Sequence, residues 1–326
     1  MLRRAMGRAT MVAAAVCALL VLAPAAANAA YYNTYTTVAT LGDGNDGLYT
    51  TDEGFAVGTT YTYSIKLNGP SGSQAEIYRT DMSDGTTTLM TYEINENGQD
   101  YISGLGHAND IALMSNGGNY YMYVVTMATT GASLVKLQYT GTTYTEVGSY
   151  TITYNGAEKA MSGVKIIEKT ASDADFLFKL GSSYYKGTLG LTATSGTIAV
   201  TNIFNLDVVD APVDGATVSG IGTWASQGIG YSDGLLYHIV TNSNVSIVLV
   251  YQGVLDFYDD PQSPAPTLAS DPNLSFRITS STYSAQFEIE GVGVASGTLW
   301  FGANRATTSG GANHDCVCTF NDYVAS

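Results

Sequence analysis

The strongest constraint on the fold is an internal repeat, because one short segment recurs five times along the 326 residues. Each copy begins with a glycine or a small polar residue, which is followed by apolar, small and apolar residues. The copies are Gly54–Val57, Asp110–Leu113, Gly163–Ile166, Gly228–Tyr231 and Gly291–Val294, with Lys165 the one large residue at the small position. Their first apolar residues stand 56, 53, 65 and 63 positions apart, and this spacing indicates a repeated structural unit.

Each copy is followed by a turn and then by a strand that is rich in aromatic residues. The turns include Asn116-Gly117-Gly118, Ser232-Asp233-Gly234 and Ser296-Gly297, whose residues tolerate positive φ and are typical of β-hairpins. The second strands are predicted over Tyr61–Leu67, Tyr120–Thr126, Phe176–Leu180, Leu235–Thr241 and Leu299–Ala303.

Five similar units, each long enough for four strands, predict an all-β fold, a five-bladed β-propeller with blades of four antiparallel strands. The small residues of the repeat are expected where the innermost strands crowd around the axis. The alternating stretch Tyr31–Leu41 is expected to complete the last blade beside Thr319–Val324 and so to close the ring. A two-sheet sandwich is the alternative, but it does not predict five copies at this spacing. The Pro-rich stretch 259–266 is interpreted as a surface loop, so residues 30–326 form a single domain.

The first 29 residues have the pattern of a secretory signal peptide, which predicts a secreted, extracellular protein. Three arginines precede the apolar run Met11–Leu22, and Ala27-Asn28-Ala29 supplies a cleavage site. Loss of these arginines takes the formal net charge from −15 to −18. Such an acidic chain lacks the cationic surface that nucleic acid binding needs. No second apolar run approaches the roughly 20 residues of a transmembrane helix, and we expect a monomer.

Two cysteines remain after cleavage, and neither they nor any other motif predicts a metal or a cofactor. Cys316 and Cys318 leave open a disulfide or a metal site with His314 and Asp315, but two thiols without a second pair are a weak zinc signal. A structural role is favoured for them. The segment 43–47 lacks the full spacing of a calcium loop and is interpreted as a turn.

Polar residues precede the inner strands at equivalent positions, and in a propeller such positions face the mouth of the channel. They are Glu53, Asn109, Ser162, Gln227 and Glu290. A concave site with convergent polar groups is suited to a ligand, and hydroxyl-rich sugars fit a ring of donors and acceptors. The predicted ligand-binding residues are Glu53, His107, Asn109, Asp110, Gln227 and Glu290.

Two other interpretations of these residues stay open. Glu53 and Glu290 become neighbours when the ring closes and would be the paired carboxylates of a glycoside hydrolase, with Asp110 as a third acid, as in arabinanase-like propellers. Ser162 and Gln227 interrupt that acidic set, and a merely structural rim would cap strand starts and hydrate the channel.

The histidines also allow structural interpretations. His107 could be a base or a ligand near Asp110, but an imidazole that bridges two blades is the favoured interpretation. His238 occupies the repeat position of Phe301 and is predicted to pack within a strand.

Two segments resemble the helveticin J type of secreted bacteriocin. One is Gln227–Tyr231 with the following Gly234–Tyr237, and the other is Glu288–Val292 with Leu299–Gly302. The resemblance is clearest over residues 224–305 and fainter over 52–180. It implies a secreted antibacterial protein without a cofactor, and no site residues are carried over from it. The chain departs from the family in its export leader and its Cys-Val-Cys. The predicted function is therefore a bacteriocin-like propeller that binds cell-envelope or extracellular glycan, with a hydrolase or a non-catalytic surface protein as alternatives.

Overall fold

The computed structural model describes residues 34–43, 47–68, 74–95, 97–213 and 216–321, so the predicted signal peptide lies outside the described residues. Within them the chain is almost entirely β, with one short helix, α1 (Val254–Asp259), and one short 3₁₀ turn at Ile221–Thr223. None of the helical segments there has the length and apolar character that crossing a membrane requires.

Twenty strands form five units of four, which we number 1 to 5 in chain order. Unit 1 contains β2 (Thr51–Val57), β3 (Tyr61–Leu67), β4 (Gln74–Asp81) and β5 (Thr87–Leu89). Unit 2 contains β9 (Asp110–Asn116), β10 (Asn119–Val125), β11 (Ser133–Thr140) and β12 (Thr143–Tyr154). Unit 3 contains β14 (Gly163–Lys169), β15 (Asp173–Leu180), β16 (Ser183–Gly190) and β17 (Ser195–Asp207). Unit 4 contains β20 (Ala225–Ser232), β21 (Leu235–Asn242), β22 (Val245–Tyr251) and β24 (Phe276–Thr279).

Unit 5 contains β25 (Gln286–Ala295), β26 (Thr298–Ala306), β27 (Cys316–Phe320) and the N-terminal strand β1 (Tyr35–Thr40). The remaining short strands lie in the connections: β6 (Thr91–Ile94), β7 (Asn97–Gln99), β8 (Ile102–Ser103), β13 (Ala157–Glu158), β18 (Pro212–Val213), β19 (Ala216–Thr217) and β23 (Thr267–Ala269). Neighbouring strands within each unit are antiparallel, whereas β12 and β17 pair in parallel and join units 2 and 3 into one sheet.

The first strands of the five units pack on one another in a closed ring. β2 contacts β9, β9 contacts β14, β14 contacts β20, β20 contacts β25, and β25 contacts β2 again. Each of these strands carries one copy of the sequence repeat, and each forms a hairpin with the aromatic strand that follows it. The prediction of a β-propeller is therefore confirmed, and the repeat marks its inner strands.

The N-terminal strand closes the ring as predicted, but its partner strand begins earlier in the sequence than the predicted Thr319–Val324, of which residues 322–324 lie outside the described residues. β1 pairs antiparallel with β27, so that Tyr35 faces Phe320 and Thr40 faces Cys316. The fourth strand of unit 5 thus comes from the opposite end of the described chain from its other three. Loss of this strand would expose the edge of β27, and exposed edges are prone to intermolecular pairing.

The core consists of apolar layers between neighbouring units, to which the aromatic second strands contribute most. Between units 2 and 3, the rings of Tyr123 and Phe176 meet edge to face at 5.0 Å. Within unit 5, the rings of Phe301 and Phe320 lie 4.4 Å apart. Such aromatic pairs add about 0.5–1.5 kcal/mol beyond the area they bury. Aromatic residues of the second strands therefore contribute to packing both within and between units.

The glycines of the repeat lie where neighbouring inner strands come close together. A Cβ on Gly228 would lie 2.5 Å from the carbonyl oxygen of Glu290 in the next inner strand, and a Cβ on Gly291 would lie 2.9 Å from the Cβ of Phe55. A Cβ on Gly54 would lie 2.5 Å from the carbonyl oxygen of Ala108. These glycines are thus required by the close approach of neighbouring units around the axis.

Replacement of Gly228 by alanine should test this close approach. The added methyl group would press on a backbone carbonyl that cannot rotate away, so we expect Gly228→Ala to lower the free energy of unfolding by about 1–3 kcal/mol. The matched control is Gly190→Ala in β16, where the nearest atom to an added Cβ lies 3.8 Å away. Denaturant unfolding should show a loss for Gly228→Ala alone, and an equal loss for both variants would contradict the proposed cause.

Candidate functional site at the channel mouth

Three of the predicted mouth residues lie at irregularities of the inner strands. The register of β2 with β3 shifts between Asp52 and Gly54, which leaves Glu53 outside the regular ladder. The register of β25 with β26 shifts between Ile289 and Gly291, which does the same for Glu290. In unit 4 the shift lies between Ser226 and Ile229 and includes Gln227. Such bulges turn a side chain away from its regular direction and are common beside functional sites.

The first contact at the mouth joins unit 1 to the loop that enters unit 2. Nδ1 of His107 lies 2.9 Å from Oε2 of Glu53, and the imidazole side chain is 37% exposed whereas the carboxyl is 9% exposed. The hydrogen bond to Glu53 raises the pKa of His107 above 6.5. Burial raises the pKa of Glu53, and the imidazole partly opposes that effect. His107 therefore bridges two blades, as the favoured interpretation predicted, and it also presents an edge to solvent.

Glu290 is the most buried carboxyl group that the repeat places at the mouth. It is 2% exposed, its Oε1 accepts a hydrogen bond of 2.7 Å from Nδ2 of Asn304, and its Oε2 has no hydrogen-bond partner among the described residues. Burial, followed by the charges of Glu288 and Glu53, raises the pKa of Glu290 well above its ordinary value. Burial and neighbouring acids thus favour the protonated form of Glu290, and one of its oxygens has no partner in the described structure.

Asp52 is a second buried acid whose charge acts on Glu290. It is fully buried, and neither carboxyl oxygen has a hydrogen-bond partner within the described parts of the chain. Burial and the nearby charge of Asp315 raise the pKa of Asp52 well above its ordinary value. Lys66, whose Nζ lies 2.8 Å from Oδ2 of Asp315, only partly offsets these effects. The junction of units 5 and 1 therefore holds more acidic groups than cationic ones.

Asp110 is placed differently from the prediction, because its carboxylate is occupied by the protein itself. Oδ1 accepts hydrogen bonds from the Ile111 N–H at 2.9 Å and from the Lys165 ammonium at 2.5 Å. Oδ2 accepts from the N–H groups of Val164 at 3.0 Å and Ile229 at 3.2 Å. With four donors and no exposure, Asp110 ties units 2, 3 and 4 together and offers no atom to a ligand. Lys165, the exception in the repeat, is explained by this bond.

Asn109 and Gln227 form bridges between units, and Gln227 keeps an accessible side. Asn109 is 3% exposed and donates from Nδ2 to the carbonyl oxygen of Ser162 at 2.8 Å. Gln227 is half-buried, and its amide donates to Oε1 of Glu288. Oε2 of Glu288 accepts a second amide hydrogen bond, of 3.0 Å, from Gln286. The accessible part of the mouth therefore consists of His107, Gln227 and Glu288.

A polar contact spans every junction between neighbouring units at this end of the channel. The pairs are His107 with Glu53 between units 1 and 2, Asn109 with Ser162 between units 2 and 3, Lys179 with Gln227 between units 3 and 4, Gln227 with Glu288 between units 4 and 5, and Asn304 with Asp52 between units 5 and 1. The mouth is thus where polar contacts join neighbouring units, and several of these contacts involve titratable residues.

Sequence reasoning missed the contribution of the second strands. A buried polar residue lies at or just after the end of the apolar part of each of them, namely Lys66, Thr126, Lys179, Thr241 and Asn304. Successive residues of this set are separated by 60, 53, 62 and 63 positions. This spacing was a signal that the sequence itself offered. Lys179 is the most perturbed of them, because burial lowers the pKa of its ammonium to about 7. Its Nζ donates to Oγ of Ser226 at 2.8 Å.

The remaining candidates from the sequence have structural roles. Cys316 and Cys318 are buried free thiols of β27, and Nη1 of Arg305 lies 3.8 Å from Sγ of Cys318. His238 is 1% exposed and shares a hydrogen bond of 2.8 Å between Nδ1 and the Tyr184 hydroxyl. It is therefore a packed strand residue, as predicted. The suspected calcium loop falls partly outside the described residues.

Replacement of Asp52 by asparagine should stabilise the protein in a pH-dependent way. The raised pKa means that the folded state keeps a proton which the unfolded chain releases above about pH 4, so Asp52 destabilises the fold at neutral pH. We expect Asp52→Asn to raise the melting temperature at pH 7 and the gain to shrink toward zero near pH 4. Thermal unfolding of Asp84→Asn, at an exposed position, is the control. A gain that does not vary with pH would exclude this explanation.

The imidazole of His107 should titrate above pH 6.5, and the shift should depend on Glu53. The pair stabilises the fold below about pH 6.5, and this stabilisation is lost as the pH rises through the raised pKa of His107. We expect Glu53→Gln to move the NMR titration midpoint of His107 down. The pKa of His238 is lowered well below 6.5 by burial, so its resonances should not titrate with His107. An unchanged His107 midpoint would contradict the ion pair.

No family model matches the chain, and no curated protein matches it. Among solved structures it is similar to the α-L-arabinofuranosidase of Podospora anserina, with 9% identity and a TM-score of 0.45 over 90% of this chain and 98% of that one. The GH43_1 enzyme of Xanthomonas citri has 8% identity and a TM-score of 0.45 over 88% of this chain and 90% of the enzyme chain. The tail fiber of Staphylococcus aureus phage P68 has 13% identity and a TM-score of 0.49 over 89% of this chain and 53% of the tail fiber chain. We draw nothing about function from likenesses at these TM-scores.

Proposed function

We propose that the protein is a glycoside hydrolase that binds a neutral glycan at the channel mouth. The observation that carries this proposal is a pair of buried glutamates on adjacent inner strands, of which only Glu53 has an imidazole partner. Burial raises the pKa of both carboxyl groups, and neighbouring acids raise that of Glu290 further, whereas the imidazole of His107, 2.9 Å from Glu53, partly lowers that of Glu53. Two carboxyl groups whose surroundings push their pKa values apart are the minimum equipment for acid and base catalysis at a glycosidic bond.

The roles follow from the protonation of each group. Glu290 donates its proton to the glycosidic oxygen as the bond from that oxygen to the anomeric carbon breaks. Glu53 accepts a proton from the water molecule whose oxygen bonds to the anomeric carbon. The products are two shorter sugars, and the proton lost by Glu290 is restored from solvent. Oε2 of Glu290 is buried and has no partner within the described part of the chain, so it would carry the donated proton once a bound substrate reaches it.

The charge of the mouth favours neutral sugars. Glu53, Glu288, Glu290 and Asp52 act on one another electrostatically, and His107 is the cation at the accessible rim. These acids repel one another, and a carboxylate on the substrate would add to that repulsion. Gln227 and Glu288 together present amide and carboxylate groups that can bond sugar hydroxyls at the rim. The proposed substrates are therefore uncharged plant or bacterial polysaccharides.

The test is release of reducing sugar from a panel of neutral polysaccharides by wild type and Glu290→Gln. Removal of a general acid costs about 10²–10⁴-fold in rate, so we expect a loss in that range with binding retained. Because burial raises the pKa of Glu290 and so favours its uncharged form, glutamine is a close replacement and the variant should fold. The matched control is Glu93→Gln, at an exposed position of β6, which should cleave at the wild-type rate.

Two outcomes would contradict hydrolysis. One is the absence of cleavage of any tested polysaccharide between pH 4 and pH 8, and the other is unchanged cleavage by Glu290→Gln. If cleavage is absent but wild type is retained on a polysaccharide gel, the mouth is a binding site without catalysis. Gln227→Ala and His107→Ala would then weaken that retention, because these two side chains are the accessible ones.

Binding without cleavage is the second candidate, and one observation favours it. Three of the five rim positions carry Asn109, Ser162 and Gln227 in place of acids, so the acidic set is interrupted in three adjacent units. A bacteriocin-like protein that only attaches to a cell-envelope glycan would need no more than the accessible rim. Growth inhibition of neighbouring bacterial strains by the purified protein would support that function, which stays a prediction from the resemblance.

A further inference from the structure

A second concave site lies at the opposite end of the inner strands from the mouth. It is a groove of about 500 Å³ between units 1 and 2. Gly58, which follows the end of β2, and Leu113 to Ser115, in the second half of β9, contribute to its lining. Glu53 and Asn109 stand at the starts of the same two strands, so the groove and the mouth are separated by the length of the inner strands. The volume lies within the range of about 300–1,000 Å³ for small-molecule sites.

Tyrosines from both units form the walls of this groove. Tyr61 and Tyr63 of β3 come from unit 1, and Tyr120 of β10 and Tyr139 of β11 come from unit 2. The rings of Tyr63 and Tyr139 meet across the junction with centroids 5.2 Å apart, and Tyr120 lies 5.7 Å from Tyr139. Tyr120 is 52% exposed. An aromatic ring left half in solvent beside a groove is an open platform for a ligand with an apolar face.

One cation lies among these rings. Cζ of Arg79 is 4.2 Å from the centroid of Tyr61, and Nη1 donates a hydrogen bond of 2.7 Å to the carbonyl oxygen of Gly141 in unit 2. These two contacts fix the plane of the guanidinium and use one of its five N–H donors. The others are available for a planar anion such as a carboxylate, which arginine binds with two parallel hydrogen bonds.

The groove is the electrostatic opposite of the mouth. No acidic residue lines it within the described ranges, and Arg79 makes no ion pair with any described residue. Oδ1 of Asp81, at the end of β4, accepts hydrogen bonds from N and Oγ of Ser83, at 2.9 and 2.7 Å, and these bonds lower the pKa of Asp81. The charge of Arg79 also acts on Asp81 and is a minor cause of its lowered pKa.

We infer that this groove binds a uronic acid residue of an acidic polysaccharide. Tyr120 offers its face to the C–H groups of the pyranose ring, and Arg79 takes the carboxylate. The hydroxyl groups of Thr59, Thr60 and Ser115 in the lining can bond the hydroxyls of the sugar. Aromatic platform, guanidinium and hydroxyls together fit a carboxylated sugar better than a neutral sugar or a simple anion, each of which would use only part of this set.

The test compares binding of a six-residue oligogalacturonate with binding of its fully methyl-esterified form, by calorimetry at low salt. We expect the acid to bind at least about tenfold more tightly than the ester, as one charge-assisted hydrogen-bond pair provides. Arg79→Met should remove the preference for the acid. Tyr120→Ala should lower the affinity for both ligands about tenfold. Tyr120→Phe, which keeps the ring, should bind both with nearly the wild-type affinity.

Two controls assign the binding to the groove. Lys169→Met, at an exposed position of β14, removes one positive charge elsewhere and should leave the affinity unchanged. Glu290→Gln should also leave it unchanged, so the result is independent of whether the mouth hydrolyses glycans. Equal affinity for the acid and the ester, a loss caused by Lys169→Met, an effect of Glu290→Gln, or no binding at millimolar ligand would each overturn the inference.

Discussion

The close approach of the five inner strands is the constraint from which the rest of the structure follows. At Gly54, Gly228 and Gly291 there is no room for a Cβ, because a backbone or side-chain atom of the next strand occupies its position. Strands that approach so closely bring their starting residues together as well, and those residues are polar. The mouth is therefore a direct consequence of how tightly the blades converge, and its groups are packed too closely to titrate independently.

The junction of units 5 and 1 shows what this crowding does to charge. Asp52, Glu53 and Glu290 lie together there, with Lys66 paired to Asp315 and His107 paired to Glu53. The carboxyl groups outnumber the cations, so protonation is the least costly way to bury the surplus. This is also the junction that the N-terminal strand β1 closes from outside. The junction at which the ring closes is thus also the one that holds the carboxyl groups with raised pKa values.

Much of this arrangement was predictable from the repeat. Its five copies located the inner strands, the hairpin turns and the rim positions, and Tyr31–Leu41 correctly indicated the closing strand. The bulges at Glu53 and Glu290 were not predictable, because one extra residue in a strand leaves no mark in composition. The meaning of Asp110 was missed for a related reason. Its carboxylate looks like the other acids in sequence, and only the donors from units 3 and 4 distinguish it.

Asp110 and Glu290 together argue that the mouth is kept for function rather than for stability. Asp110 is fully buried but accepts four hydrogen bonds, one of them from the ammonium of Lys165. The fold can therefore satisfy a buried carboxylate when it only needs a tie between blades. Glu290 and Asp52 are buried to the same degree with three oxygens unsatisfied in the described structure, and such groups destabilise a fold at neutral pH. Sites that break local rules in this way are where proteins hold reactive groups.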